Sequence, residues 1–187
     1  MPNQWKQKRS AIRHYDLTAE TYDQQYMEEQ NTKIAIALEA LPRPMDKNAV
    51  VLDAGCGTGL LFPHITRKAK QIMGVDISAS LLKEAKTKAK ANIALIRADA
   101  DFLPFKAETF TNTFAFTLVQ NTPNPQGTIE EIERAAQPDA TIVITGLKKH
   151  FTLSAFVKLL ENVRLEILTL KTDKELKDFV AVCQKRL

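Results

Sequence analysis

The sequence predicts a doubly wound α/β fold, a mostly parallel seven-stranded sheet with an N-terminal helical extension. Two observations lead there. From Ala49 onward, short apolar runs of the kind that form buried strands alternate with helical stretches, and seven such runs can be traced. Three of the chain's six glycines, Gly55, Gly57 and Gly59, follow the first run directly. An open parallel sheet turns from strand to helix at such a place and receives its ligand there.

Taken in order, residues 1–15 are basic and weakly patterned, a mobile arm or a short helix. Asp16 to Leu41 reads as helix, with Ile34, Leu38 and Leu41 at helical spacing after a cap at Asn31. The phrase Leu41-Pro42-Arg43-Pro44 stops it. Ala49–Asp53 is the first strand, Gly59–Ala69 a helix and Gln71–Ile77 the second strand. Ser78 caps a helix reaching about Ala91. Ile93–Ala98 and Phe110–Phe116 are the third and fourth strands. Thr128-Ile129-Glu130-Glu131 has the form of a capping box and opens a helix that Pro138 ends. Thr141–Leu147 is the fifth strand, and Thr152 caps the next helix with Phe151 and Phe156 as a hydrophobic staple. Leu165–Leu170 and Phe179–Cys183 complete the sheet. No repeat or linker interrupts the pattern, so residues 1–187 read as one domain, with arm and helices to 44 and the α/β core from 45.

Composition narrows the function classes. No apolar run approaches the roughly 20 residues of a membrane span. The polar N-terminus lacks the apolar stretch of a secretion signal, so a cytoplasmic protein without membrane insertion is expected. Cys56 and Cys183 lie far apart, which implies neither a disulfide framework nor a metal site. The net charge is +4 with a pI near 9.0, and lysines at 6, 8, 83, 86, 88, 90, 148 and 149 contribute much of it. Such an excess suits a solvated surface or an anionic partner such as RNA.

The glycine cluster decides the chemistry. A phosphate-binding P-loop would end in Gly-Lys-Ser/Thr, but Leu60 and Leu61 follow Gly59. A nicotinamide or flavin fingerprint, Gly-x-Gly-x-x-Gly/Ala, fails at Leu60 in one frame and at Phe62 in the other. What remains is acid-x-Gly-x-Gly-x-Gly, from Asp53 through Gly59. Asp76 ends the second strand 23 positions later, near the roughly 20-residue interval that delivers an acid to a ribose.

With Arg97-Ala98-Asp99-Ala100-Asp101 after the third strand, this pattern resembles class I S-adenosylmethionine-dependent methyltransferases. The fold so implied is the Rossmann-like methyltransferase fold, and the cofactor is S-adenosylmethionine. The resemblance implies that the loop Asp53, Ala54, Gly55, Cys56, Gly57 and Gly59 packs under the adenosyl group, with Asp53 holding the cofactor's cationic amino-acid end. It implies that Asp76 and Ile77 meet the ribose, and that Asp99 with Ala100 meets the adenine in preference to Asp101. Tyr15-Asp16-Leu17-Thr18-Ala19-Glu20-Thr21-Tyr22-Asp23 resembles the family's lead-in helix, with Tyr22 lining the pocket and Tyr15 and Tyr26 behind it. Thr117, at the end of the fourth strand, completes the implied cofactor set.

Phe110 through Pro125 is similar to the fourth-strand region of quinone-biosynthesis-type methyltransferases, with two departures. Thr111-Asn112 replaces the usual acid, and Gln120-Asn121 stands where a His pair is frequent. Asn121 and Gln120 are the candidate catalytic pair, orienting an amide, base edge or carbonyl beside the methyl group. Asn121-Thr122-Pro123 falls about four residues too late for the Asn-Pro-Pro-aromatic motif of amino-group methylases and lacks its aromatic. No His-Asp or Cys-His arrangement announces a general base, and His14, His64 and His150 read as surface residues.

No insertion after the fifth strand roofs the site, so cover can come only from the N-terminal helices. An open site beside Lys148, Lys149 and the basic arm favours a macromolecular acceptor, RNA or a translation-related protein. The stretches QNTPNP and ITGLKK resemble small archaeal-type methyltransferases, some of which work with a small zinc-bearing activator subunit. The alternatives are a quinone- or lipid-type methyltransferase and a catalytically silent, cofactor-binding partner subunit.

Overall fold

The computed structural model describes residues 2–186. The chain opens with one continuous helix, α1 (Pro2–Glu39), in place of an arm and a separate helix. Nothing in the sequence could divide it. Pro2 sits at the first position, where proline is tolerated, and no other proline or any glycine occurs before Pro42. Asn31 therefore caps nothing; it lies inside α1, and its Oδ1 meets Nε2 of His64 at 3.1 Å.

The strands are β1 (Val50–Ala54), β2 (Gln71–Asp76), β3 (Ile93–Arg97), β4 (Phe110–Ala115), β5 (Ala136–Leu147), β6 (Leu165–Lys171) and β7 (Asp178–Lys185). They form one seven-stranded sheet in the order β3-β2-β1-β4-β5-β7-β6. The first five strands are parallel. β7 runs antiparallel between β5 and β6, so the sheet is mostly parallel as expected.

The helices between strands are α2 (Phe62–Ile65), α3 (Ala79–Lys88), α4 (Pro125–Ala135) and α5 (Leu153–Glu161). Ser78 caps α3 by accepting from the Leu81 amide, and Thr152 caps α5 by accepting from Ala155, as the sequence indicates. Three expectations need correction. The helix foreseen over Gly59–Ala69 is a single turn, α2. The Thr66 hydroxyl bonds back to the Phe62 carbonyl, and the Asn92 amide takes the carbonyls of Thr66 and Ala69 that a longer helix would use. α4 begins at Pro125 under an Asn124 cap whose side chain accepts from Gly127. The Asn-Pro pair outranks the Thr128 box. Thr128 is buried inside the helix, where its hydroxyl donates to Asp101. β5 also starts directly after α4, so Pro138 falls within it, at the register shift between Phe110 and Asn112 of β4.

Alternation along the strands builds a core on each face of the sheet. Leu52, Ile142 and Ile144 pack with Ile129, Ile132 and Phe156 of α4 and α5. Val51, Phe114, Val143 and Val180 pack on the other face with Ile34 and Ala37 of α1 and with Phe62. Fully burying such a side chain contributes about 1.5–3 kcal/mol. Strand order reverses between β1 and β4, and the carboxyl ends of these two strands frame the site.

Candidate functional site

At the end of β1 the backbone turns through Gly55, Gly57 and Gly59, with φ of 70°, 53° and 77°. Side chains rarely adopt these angles. A Cβ on Gly59 would stand 2.5 Å from the Phe62 ring, so that glycine serves packing. A Cβ on Gly57 would meet no atom within 4 Å, because it would project into open space. Asp76, at the end of β2, fixes this loop. Its Oδ2 accepts from the Gly57 amide and its Oδ1 from the Ser78 amide, both at 2.9 Å.

A cleft of about 750 Å³, open to solvent, lies above the loop. Tyr22, Gly55, Gly57, Asp76, Ile77, Asp99, Ala100, Thr117 and Asn121, all expected from the sequence, line it. Asp53 and Cys56 border a small adjoining recess together with Tyr22, Gln30 and Thr58. Ala54, Gly59 and Gln120 stand off both walls. Ala54 is fully buried at the end of β1. Both amide atoms of Gln120 are buried without a hydrogen-bond partner.

The roof of the cleft is α1. Lys8, Ala11, Tyr15 and Tyr22 recur at helical spacing and face the sheet edge, so α1 covers one side of the site. Tyr15 lines the cleft beside Tyr22, with ring centroids 6.4 Å apart, whereas Tyr26 is 39% exposed. The helix is fastened along its length. Lys8 Nζ lies 2.5 Å from both Asp99 and Asp101. Asp16 accepts from the Ser78 hydroxyl and the Ser80 amide, and Asp23 from the Thr58 hydroxyl, with Lys88 alongside. Gln30 and Lys33 donate to the hydroxyl of Thr117, which holds a φ of 54°.

Sequence reasoning missed Lys8, Gln30, Lys33, Leu118 and Pro123. Their partners are distant in the chain, and no local pattern marks them. Lys148, expected to face an acceptor, instead donates to the carbonyls of Thr172 and Asp173. The three histidines lie off the cleft.

The electrostatics suit a cationic ligand. Asp53 is buried and its Oδ2 has no partner. Burial, and then the charge of Asp76, push its carboxyl up to about 8. Burial also raises Asp76, against the amides of Ser78 and Gly57 that favour its charge. Tyr22 and Tyr15 are raised by burial first, so both phenols stay neutral. Burial likewise raises the Cys56 thiol, which is no nucleophile here.

Comparison with known proteins agrees with this geometry. Residues 52–144 match the family described as Methyltransferase domain. An uncharacterized Methanocaldococcus jannaschii protein is 30% identical over 141 residues, 75% of this chain and 53% of that protein. The 18S rRNA (guanine-N(7))-methyltransferase of Bos taurus is 36% identical over 84 residues, 45% of this chain and 30% of that protein. A ubiquinone biosynthesis O-methyltransferase of Coxiella burnetii is 30% identical over 108 residues, 56% of this chain and 46% of that protein. The chain thus spans about half or less of the curated relatives it matches. In fold, it is similar to a Haloferax volcanii chain solved in complex with the Trm112 methyltransferase activator. The TM-score is 0.79 at 16% identity, covering 92% of this chain and 98% of the other. Residues 52–144 thus match a methyltransferase domain, and the chain shares its fold with an S-adenosylmethionine-dependent methyltransferase of Aquifex aeolicus, at a TM-score of 0.76 and 16% identity over 91% of this chain and 98% of that one.

Proposed function

We propose that this domain transfers a methyl group from S-adenosylmethionine to RNA. The similarity to an rRNA methyltransferase, in a chain of net charge +4, is the observation that carries the acceptor. The cleft suits the cofactor. The unpartnered, buried Asp53 Oδ2 fits its cationic amine, and the space over Gly57 admits a ligand where any side chain would intrude. Asp53 and the glycine loop would hold the amino-acid end, Asp76 the ribose, and Asp99 with Ala100 the adenine. Lys8 would keep Asp101 as its partner when Asp99 accepts from the base.

S-adenosylmethionine bound there supplies an electrophilic methyl group on a sulfonium centre. The chain's task is then alignment and exclusion of water. The α1 roof and the walls Val75, Phe116 and Leu118 exclude water. Asn121 is exposed at the mouth, and its Nδ2 donates to the Thr117 carbonyl at 2.7 Å. That bond aims its Oδ1 at a donor on an entering base edge. A ring nitrogen with a free lone pair needs no base before the transition state. Under the roof an acceptor base has to enter singly and unstacked, which favours single-stranded RNA.

A small activator subunit is the partner we propose, supported by the likeness to the Haloferax chain. A second reading, a quinone- or lipid-type acceptor, is favoured by the Coxiella relative and by the apolar cleft walls. Labelled S-adenosylmethionine offered with total RNA, protein extract or lipid extract separates them. Label in RNA supports the proposal, and label in lipid alone overturns it. Labelling only after a Trm112-type subunit is added supports the activator. No label in any fraction, with that subunit present, supports a silent cofactor-binding subunit.

A further inference from the structure

We infer that the solvent side of the first half of α1 is a docking surface for single-stranded RNA, an inference that rests on the RNA reading above. Between Pro2 and Tyr15 the helix carries Lys6, Lys8, Arg9 and Arg13 and no acid. These cations divide between two faces. At about 100° per residue, Lys8 falls on the arc of Tyr15 and Tyr22 that lines the cleft. Lys6, Arg9 and Arg13 share an arc of about 60° on the flank. The Lys8 ammonium is consumed by Asp99 and Asp101. The other three are exposed, border one open hollow with Ser10, Ile12, Leu17 and Asp16, whose carboxylate is held by Ser78 and Ser80, and form no ion pair among the described residues. Arg97 adds a fourth positive charge nearby. It is exposed, donates to the Ile77 carbonyl and acts on Asp16 one turn beyond Arg13.

Two large aromatics flank Lys8, on the cleft side of this row. Trp5 is 56% exposed and Phe102 73% exposed, and their rings lie 5.8 and 5.4 Å from the Lys8 ammonium. Leaving such rings in water forgoes their burial. A track of cations for phosphates beside bare aromatic faces for bases is the chemistry that binds single strands.

The test measures binding of a labelled, unstructured RNA of about 20 nucleotides to the full chain across a salt series. Three neutral replacements together, Lys6→Gln, Arg9→Gln and Arg13→Gln, should weaken binding at least about tenfold. They should also flatten the slope of log K against log salt by about 2, near 0.7 for each phosphate no longer neutralised. Trp5→Ala with Phe102→Ala should weaken binding about tenfold while leaving the slope unchanged. Both variants should bind S-adenosylmethionine as the parent does. Unchanged RNA affinity and slope in the triple variant would overturn the surface, as would tighter binding of the parent to phosphatidylserine vesicles than to RNA. RNA bound through this row but never labelled overturns the acceptor reading and sustains the surface. RNA still labelled and bound as before by the triple variant does the reverse.

Discussion

The ammonium of Lys33, near the C-terminal end of α1, lies 2.5 Å from Oδ2 of Asp178 at the start of β7, and both side chains are only 1% exposed. No well-aligned hydrogen bond reaches either Asp178 oxygen, so the charge contact alone holds the pair. The same ammonium donates to the Thr117 hydroxyl at 3.0 Å. One buried cation thus ties α1 to the sheet and to Thr117, which lines the cleft.

Removing one partner of a buried pair strands the other. Lys33→Met should lower stability by about 3–5 kcal/mol, read from urea unfolding. Adding Asp178→Leu should recover much of that loss. The recovered double variant should still transfer methyl groups more slowly than the parent, because Thr117 has lost a donor. Parent-like stability in Lys33→Met would show that the pair contributes nothing.

The pH dependence follows from Asp53. Its carboxyl is raised from 3.8 to about 8, so the folded, ligand-free chain keeps a proton that the unfolded chain has released. This group's contribution to stability therefore falls as pH rises from about 4 through about 8. Asp53→Asn should melt higher than the parent at pH 8.5 without ligand. Binding a cationic amine favours the carboxylate, so S-adenosylmethionine should release a proton at pH 7. Calorimetry in buffers of different ionisation enthalpy measures that proton, and its absence would refute the role. The same variant should bind the cofactor roughly 10- to 100-fold more weakly, matching about 1.5–3 kcal/mol for a hydrogen bond to a charged group.

Lys8 clamps the N-terminal end of the roof. Lys8→Met should speed amide exchange of residues 2–15 while the sheet exchanges as before. Mass spectrometry after deuterium labelling reads this directly. Unaltered exchange in that segment would mean that Asp99 and Asp101 do not hold the helix down.

The parts of the site that sequence made legible are those whose reason is local. Asp53, Gly55, Gly57 and Asp76 gather where β1 and β2 end, and their spacing, with the resemblance it carries, marks the loop. Ser78 and Thr152 were readable as caps because a cap and its helix are adjacent. Lys8 meets partners 91 residues away and Lys33 meets Thr117 across 84, so no window on the sequence contains either interaction. The roof was legible at Tyr15 and Tyr22 through the lead-in resemblance, but its continuation to Lys8 and Ala11 was missed for a related reason. Nothing in α1's sequence says which face will lie on the sheet edge, and its cations hide that one of them is spent inside the cleft. Thr128 misled because its box is genuine by pattern, while the Asn124 cap, with Pro125 behind it, supplies a stronger start four residues earlier.

Asp76 holds the Gly57 amide and would also meet the ribose. Asp76→Ala should weaken S-adenosylmethionine binding by about 1–3 kcal/mol while the far-ultraviolet circular dichroism stays that of a folded chain. Undiminished affinity would reduce Asp76 to a loop fastener.

The central claim is that the cleft over Gly57 is an S-adenosylmethionine site, and isothermal titration of the parent and of Gly57→Val tests it most directly. The parent should take up one S-adenosylmethionine per chain in the micromolar range, about −8 kcal/mol, with no comparable heat from NAD. Gly57→Val, whose side chain would enter the open space above the loop, should lose that binding while remaining folded. Binding of NAD but not S-adenosylmethionine, or full affinity retained by Gly57→Val, would contradict the account.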